Sequence, residues 1–314
     1  MTSRIRQIFA IALLLFVEGC THTNSLSLQS DFPTAPRSPQ MLAVYEPWFG
    51  HPQHISVGYS SQDPVEVRKQ IDAAKNLGIS GFVIDWYGDR EPFLDRAYEQ
   101  MQTAAGEKNF KVAMMFDEFD RGTEEATDDA LTAFEKFNEK YLAPNAPGRN
   151  AYLTYHDRPV IFIFPKGAHT NWARVRSDVD KWNPPPLLVY EFRNTPYADS
   201  LDGFYAWVNP GNKGYASDGS HWGEDYLLRF YRTMQTKYSD KIAIGTAWPG
   251  FNDSKAKWSL NRYMSQRCGK TLTDTLNMAQ QNSTPQHPLA FILIATWNDY
   301  EEGTAIERGL AKCK

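Results

Sequence analysis

Short runs of apolar and β-branched residues recur along the chain, separated by stretches in which apolar positions fall three or four apart. Such runs read as buried strands and the stretches between them as amphipathic helices, and their alternation predicts a parallel sheet wound by helices. Eight strands are predicted: Met41–Glu46, Ser80–Trp86, Lys111–Phe116, Pro159–Phe164, Leu187–Phe192, Asp202–Val208, Lys241–Ala247 and the run that starts at Phe291. Helices are predicted from Asp63-Pro64 to Leu77, over Glu91–Ala105, Thr127–Tyr141, Asn171–Lys181 and Glu224–Tyr238, and around Thr271–Gln281. Asp63-Pro64 supplies a cap and a first-turn proline, and Gly78 a stop. Pro184-Pro185-Pro186 excludes helix before strand five, and the crossover from strand five to strand six is short and poor in helix signal. Asn209–Gly223 is glycine-rich and predicts an exposed loop. The expected fold class is α/β, a single-domain (β/α)₈ TIM barrel over residues 41–314, its last helix short or missing because little chain follows Ile306.

The first forty residues stand outside this pattern. Arg4 and Arg6 precede an apolar run from Ile8 to Val17 and then Gly19-Cys20, the plan of a signal peptide over residues 1–20. Val17-Glu18-Gly19-Cys20 resembles a bacterial lipoprotein cleavage box, which makes Cys20 the expected lipidation site. Plain cleavage and secretion is the alternative. Residues 21–40 are rich in Ser, Thr, Pro and Gln, the composition of a tether. An exported protein, anchored at the cell envelope by lipid at Cys20, follows as the expected localisation.

Charge and composition narrow the partners. The net charge of -4 comes without a basic stripe, so neither nucleic acid nor an anionic membrane surface is expected as a partner, and the membrane is reached only through the lipid. Aromatic residues make up 14% of the chain, an excess that suits stacking on sugar rings, although an aromatic-rich core explains it equally. Beyond Cys20 the cysteines are Cys268 and Cys313, which in an exported protein form one disulfide or remain two thiols. The histidines, His51, His54, His169 and His221 among them, have no ligand spacing, so no metal and no cofactor are expected. A monomer is expected.

The chemistry concentrates where the last strand ends. Phe291-Ile292-Leu293-Ile294 runs into Trp297-Asn298-Asp299-Tyr300-Glu301-Glu302-Gly303-Thr304, three carboxylates interleaved with aromatics. In an α/β barrel the C-terminal strand ends build the active site, and glycosidic bonds need one protonated and one ionised carboxyl. Crowded carboxylates push their pKa values apart, as such chemistry requires. A solvated acidic turn is the plainer reading, against which Trp297 and Tyr300 weigh. Other strand ends deliver Asp85, Trp86 and Tyr87, Asp117 and Glu118, Tyr205 and Trp207, and Trp248. These residues are sugar-binding candidates, with helix capping, salt bridges and core packing as the alternative for each.

Five segments in order carry a resemblance: Tyr45-Glu46-Pro47-Trp48-Phe49-Gly50, Gly81-Phe82-Val83-Ile84-Asp85-Trp86-Tyr87-Gly88, Arg158-Pro159-Val160-Ile161-Phe162, Asp202-Gly203-Phe204-Tyr205-Ala206-Trp207, and Trp297 through Thr304. They resemble glycoside hydrolase families 71 and 99, the endo-α-1,3-glucanases and the endo-α-mannosidases. The resemblance implies a glycoside hydrolase that cleaves internal α-linkages of a polysaccharide or oligosaccharide of α-mannan or α-1,3-glucan type. It maps the acid glutamate of family 99 onto Glu302 and the first carboxylate of that pair, a glutamate there, onto Asp299. Asn298-Asp299-Tyr300 is closer to the family 71 version. Tyr45, Trp48, Asp85, Trp86, Tyr87, Asp117, Glu118, Tyr205, Trp207, Trp248, Trp297, Asn298, Tyr300 and Glu301 are the implied substrate-binding set. The alternatives are a glycan-binding barrel without catalysis, and a transglycosylase or accessory protein of surface-polysaccharide metabolism.

Overall fold

The structure is a computed structural model that describes residues 39–167, 169–210 and 221–310. The expected leader and tether, with Cys20, lie outside the described residues, except that Gln40 already belongs to the first strand. Residues 38–314 form one compact unit.

Eight parallel strands close into a barrel: β1 (Gln40–Tyr45), β2 (Ile79–Trp86), β3 (Lys111–Asp117), β4 (Arg158–Phe164), β5 (Leu187–Glu191), β6 (Gly203–Tyr205), β7 (Ile242–Ala247) and β8 (Phe291–Ile294). Each pairs with its sequence neighbour, and β1 pairs with β8 from Gln40↔Phe291 to Ala43↔Ile294, which closes the ring. The helices are α1 (Pro64–Asn76), α2 (Pro92–Lys108), α3 (Thr123–Phe137), α4 (Trp172–Val179), α5 (Glu224–Thr236) and α6 (Lys270–Asn282). Local chemistry sets their ends. Asp63 accepts from Val65 N at 2.8 Å, Asn171 caps Arg174 N at 3.1 Å, and Asn109 closes α2 in the left-handed region at φ 50°.

Three expectations shift. Helix three begins four residues earlier than predicted, at Thr123, because Glu124 and Glu125 favour the positive end of the helix dipole. Its predicted last turn, which ends at Tyr141, falls in a π-turn over Asn138–Leu142. Strand six shrinks to Gly203–Tyr205; just before it the Asp202 carboxylate accepts from Leu188 N at 2.8 Å and from Arg176 at 2.8 Å.

As predicted, no α-helix joins β5 to β6; a single 3₁₀ turn, Ala198–Ser200, serves there. Among the described residues no helix follows β8. Ile306, 5% exposed, and Leu310 pack on the core in its place. No helix among the described residues is long and apolar enough to cross a membrane.

The pleat sorts side chains into two cores. Leu42, Val44, Val83, Met115, Phe162, Val189, Tyr205 and Leu293 fill the barrel interior, while Ala43, Tyr45, Phe82, Ile84, Trp86, Met114 and Phe116 face the helices. Fully burying one such large side chain stabilises the fold by about 1.5–3 kcal/mol.

Candidate active site

Continuing the inward register of each strand by two residues gives the rim. Val44 is followed by Glu46, Val83 by Asp85, Met115 by Asp117, Phe162 by Phe164, Val189 by Glu191 and Tyr205 by Trp207, and all six of these rim residues line one open cavity of about 890 Å³. Asp299 and Glu302, just beyond β8, line it too. Its volume falls in the range of small-molecule and oligosaccharide sites.

The loop that carries this pair is tied by its own hydrogen bonds. Thr296 N donates to Thr304 O at 3.1 Å, the two threonine hydroxyls meet at 2.9 Å, and Thr304 N and Ala305 N both donate to Asp299 O at 3.1 Å. Asp299 Oδ1 accepts from Glu301 N at 2.9 Å and Glu302 N at 2.8 Å. Gly303 makes the turn at φ 65°. The neighbouring strand end is clamped to this loop: Asn298 Oδ1 accepts from Glu46 N at 2.7 Å, and Asn298 Nδ2 donates to Glu46 O at 3.0 Å.

The electrostatics are those of crowded, buried acids. Burial, then Glu302, pushes the Asp299 carboxyl well up, and two backbone N–H groups work against the rise. Burial likewise raises Glu302, opposed by the hydrogen bond from Trp258 Nε1 to Glu302 Oε1 at 2.9 Å and by Arg262. Two such groups cannot both ionise easily. Asp299 as an anion is stabilised by two backbone N–H donors, and Glu302 by the Trp258 indole and the Arg262 charge.

Glu46, 4% exposed, stands between this pair and a second one. Burial, then Asp85, Asp299 and Glu302, holds it well above the usual carboxylate range, and its Oε2 has no hydrogen-bond partner. Asp85 and Asp117 form the second pair, both raised first by burial; Lys166 Nζ, 2.6 Å from Asp117 Oδ2 and 4.5 Å from the Tyr87 ring centre, moderates both. An aromatic wall faces them. His54 stacks on Trp48 with ring centres 4.7 Å apart, and Trp258 meets Trp48 edge-on at 6.3 Å.

Of the residues singled out in the sequence, the cavity therefore gathers Trp48, Asp85, Tyr87, Asp117, Trp207, Asp299 and Glu302. The others stand elsewhere. Tyr45 and Trp86 point outward into the layer between sheet and helices, where Tyr45 packs on Phe82 and the Trp86 indole donates to Asp95 Oδ1 at 3.3 Å. Tyr205 points inward but lies below the cavity, its hydroxyl donating to Ile163 O at 2.9 Å. Trp248 and Trp297 are fully buried in core, where Trp248 donates to Trp222 O at 3.0 Å and Trp297 packs on Phe82. Asn298 positions Glu46 rather than reaching the cavity.

Glu118, 1% exposed, accepts from Thr170 N at 2.8 Å. Tyr300 donates to Glu307 at 2.8 Å and packs edge-on against Phe49. Glu301 reaches sideways to His54 Nδ1 at 2.8 Å and Ile55 N at 3.1 Å, fastening the loop after β1 and with it Trp48. Cys268 is disulfide-bonded, and both Cys20 and Cys313 lie outside the described residues. Among the described residues no group of three His, Cys, Asp or Glu side chains could hold a metal ion.

Sequence reasoning missed Glu46, Glu191, Lys166, Arg193, Trp258 and Arg262, all in the cavity wall. For Glu46 and Glu191 a signal existed: each is the next inward position of its strand. Trp258 and Arg262 come from the loop after β7, which no periodicity predicts.

A closed parallel barrel whose acids and aromatics converge at the strand C-termini is the architecture of a barrel glycosidase. The chain belongs to glycosyl hydrolase family 71, whose family model matches residues 53–308, and the protein is a glycoside hydrolase. Among solved structures it resembles the GH99 endo-α-mannosidase of Bacteroides thetaiotaomicron in complex with bis-tris-propane, at 19% identity over 87% of this chain and 88% of that one, TM-score 0.63. A second structure of that enzyme gives 18% identity over 87% and 89%, TM-score 0.62. A glycoside hydrolase-like protein follows at 13% identity over 86% and 87%, TM-score 0.60. At these identities the likeness is one of fold. No curated protein matches the chain by sequence.

Proposed function

We propose that the protein hydrolyses internal α-linkages of a polysaccharide of α-1,3-glucan or α-mannan type, with Glu302 as general acid and Asp299 as general base. The observation that carries this is the pair itself: two carboxyls just beyond β8 that face one cavity, each held by its own hydrogen-bond donors and each raised above the usual carboxylate range first by burial. Glu302 gives its proton to the glycosidic oxygen as the C–O bond breaks. Asp299 takes a proton from the water whose oxygen bonds to the anomeric carbon, so both protons are accounted for. An aspartate, one methylene shorter than glutamate, leaves room for that water, which predicts inversion of the anomeric centre. The Trp48–His54 stack supplies an apolar wall for a sugar face. We also propose that lipid on Cys20 anchors the exported enzyme; Cys20→Ser should then move it from the membrane pellet to the soluble fraction.

Incubation with α-1,3-glucan and α-mannan, with product size and anomer read by NMR, tests the assignment. Glu302→Gln and Asp299→Asn should each lower kcat by about 10²–10⁴-fold while leaving oligosaccharide binding largely intact. A wild type that cleaves neither polysaccharide, with both forms binding alike, would mark the barrel as a glycan-binding protein. Retention at the anomeric carbon would remove Asp299 from the role of base toward water.

A further inference from the structure

Trp258 is an unusual indole. It sits at 44% exposure on the loop after β7, yet it lines the cavity, and its N–H is committed to Glu302 Oε1 at 2.9 Å. Its ring contacts, with Trp48 at 78° and His54 at 69°, are edge-on, and no ring among the described residues stacks parallel to it. The loop beneath it is firmly built. Asp253, fully buried, accepts from Arg262 N at 2.9 Å, Leu260 N at 3.1 Å, Ser259 Oγ at 3.0 Å and Arg262 Nε at 2.8 Å. A large apolar side chain held out at a cavity mouth by a buried ionic knot adds little to the core, so its position needs another explanation.

We propose that Trp258 is the positioning residue of the acid: its N–H pins Glu302 Oε1, so the transferable proton is confined to Oε2, while its open face receives a sugar of the bound chain. An indole nitrogen can only donate, so the oxygen it touches must accept, and the carbonyl oxygen of a protonated carboxyl accepts better than its hydroxyl, which favours the proton on Oε2. The same bond favours the ionised carboxylate and so holds the acid's affinity for its proton below what burial alone would set. Sugar stacking and proton placement thereby meet in one side chain, and the acid is already aimed before a chain is seated. This rests on the reading of Glu302 as the acid.

Two variants divide the two functions. Trp258→Phe keeps a ring and removes the donor; Trp258→Ala removes both. With α-1,3-glucan or α-mannan oligosaccharides, whichever the wild type cleaves, Trp258→Phe should lower kcat about tenfold, change KM less than about twofold, and move the alkaline limb of the pH–kcat profile upward by about 0.5–1 unit. Trp258→Ala should show the same limb and raise KM by roughly tenfold. Replacing Trp258 with 3-benzothienylalanine, which keeps the indole shape without the N–H, should reproduce the Phe profile. Carboxyl ¹³C NMR of Glu302 reads the same upward shift without any substrate.

An unmoved limb and an unmoved Glu302 titration in all three variants would overturn the proposal. So would a KM unchanged in Trp258→Ala. An active wild type with an equally active Glu302→Gln would instead overturn the reading beneath it, which separates the two failures.

Discussion

At the scale of single residues the site trades stability for chemistry. Asp85 is 7% exposed, burial and Asp117 hold its carboxyl well above the ordinary range, and its Oδ1 has no hydrogen-bond partner. A group whose folded-state pKa is raised contributes stability that is complete below its unfolded value, about 3.9, and is lost as pH climbs through the folded value. Above that window Asp85 weakens the fold. Asp85→Asn keeps the volume and removes the titration, so it should raise stability by about 1 kcal/mol or more at pH 8 and leave it nearly unchanged at pH 4, as read by denaturant melts at the two values. Activity should fall in the same variant, because the residue lines the cavity. Equal melts at both values would mean that Asp85 titrates in the folded protein as it does in the unfolded chain.

At the scale of elements, what matters is how closely strands approach and how loops are fastened. β6 is only three residues long, and a Cβ built on Gly203 would lie 2.4 Å from Ile242 O, so β6 and β7 reach their spacing only with glycine there. Gly203→Ala should cost about 3 kcal/mol and lower Tm by several degrees, measurable by calorimetry; an unshifted melt would show that β6 and β7 can separate freely. The helices were legible in the sequence because caps and stops are local: Asp63-Pro64 at α1 and Asn171 at α4 do their work within three residues. The aromatics were not, because Tyr45 and Trp86 read as rim residues in one dimension and are core residues once the pleat is counted. Glu46, the immediate neighbour of Tyr45, is the one that faces the cavity.

At the scale of the whole molecule, closing β8 onto β1 brings the Asp299–Glu302 loop beside Glu46 and places Asp85 and Asp117 on the same rim. The open cavity of about 890 Å³, extended by Trp258 at its mouth, suits a site that accepts a chain along its length. The endo mode proposed above has a direct readout: the viscosity of a polymeric substrate should fall well before reducing ends accumulate, and KM should drop with oligosaccharide length until the cavity is filled. Release of only one sugar from a chain end from the first minutes would refute it.

The chain's own order of residues determined the strand and helix sequence, the barrel, the carboxylate pair three residues apart and the family segments, because periodicity, caps and local motifs act over a few residues. Tertiary structure alone decided which rim side chains share the cavity. That depends on strand register around a closed ring and on loops such as 253–263, whose path is set by the buried Asp253–Arg262 contact rather than by any local pattern. It also decided that Glu301, in the midst of the acidic motif, fastens a loop, while Trp258, some forty residues away, touches Glu302.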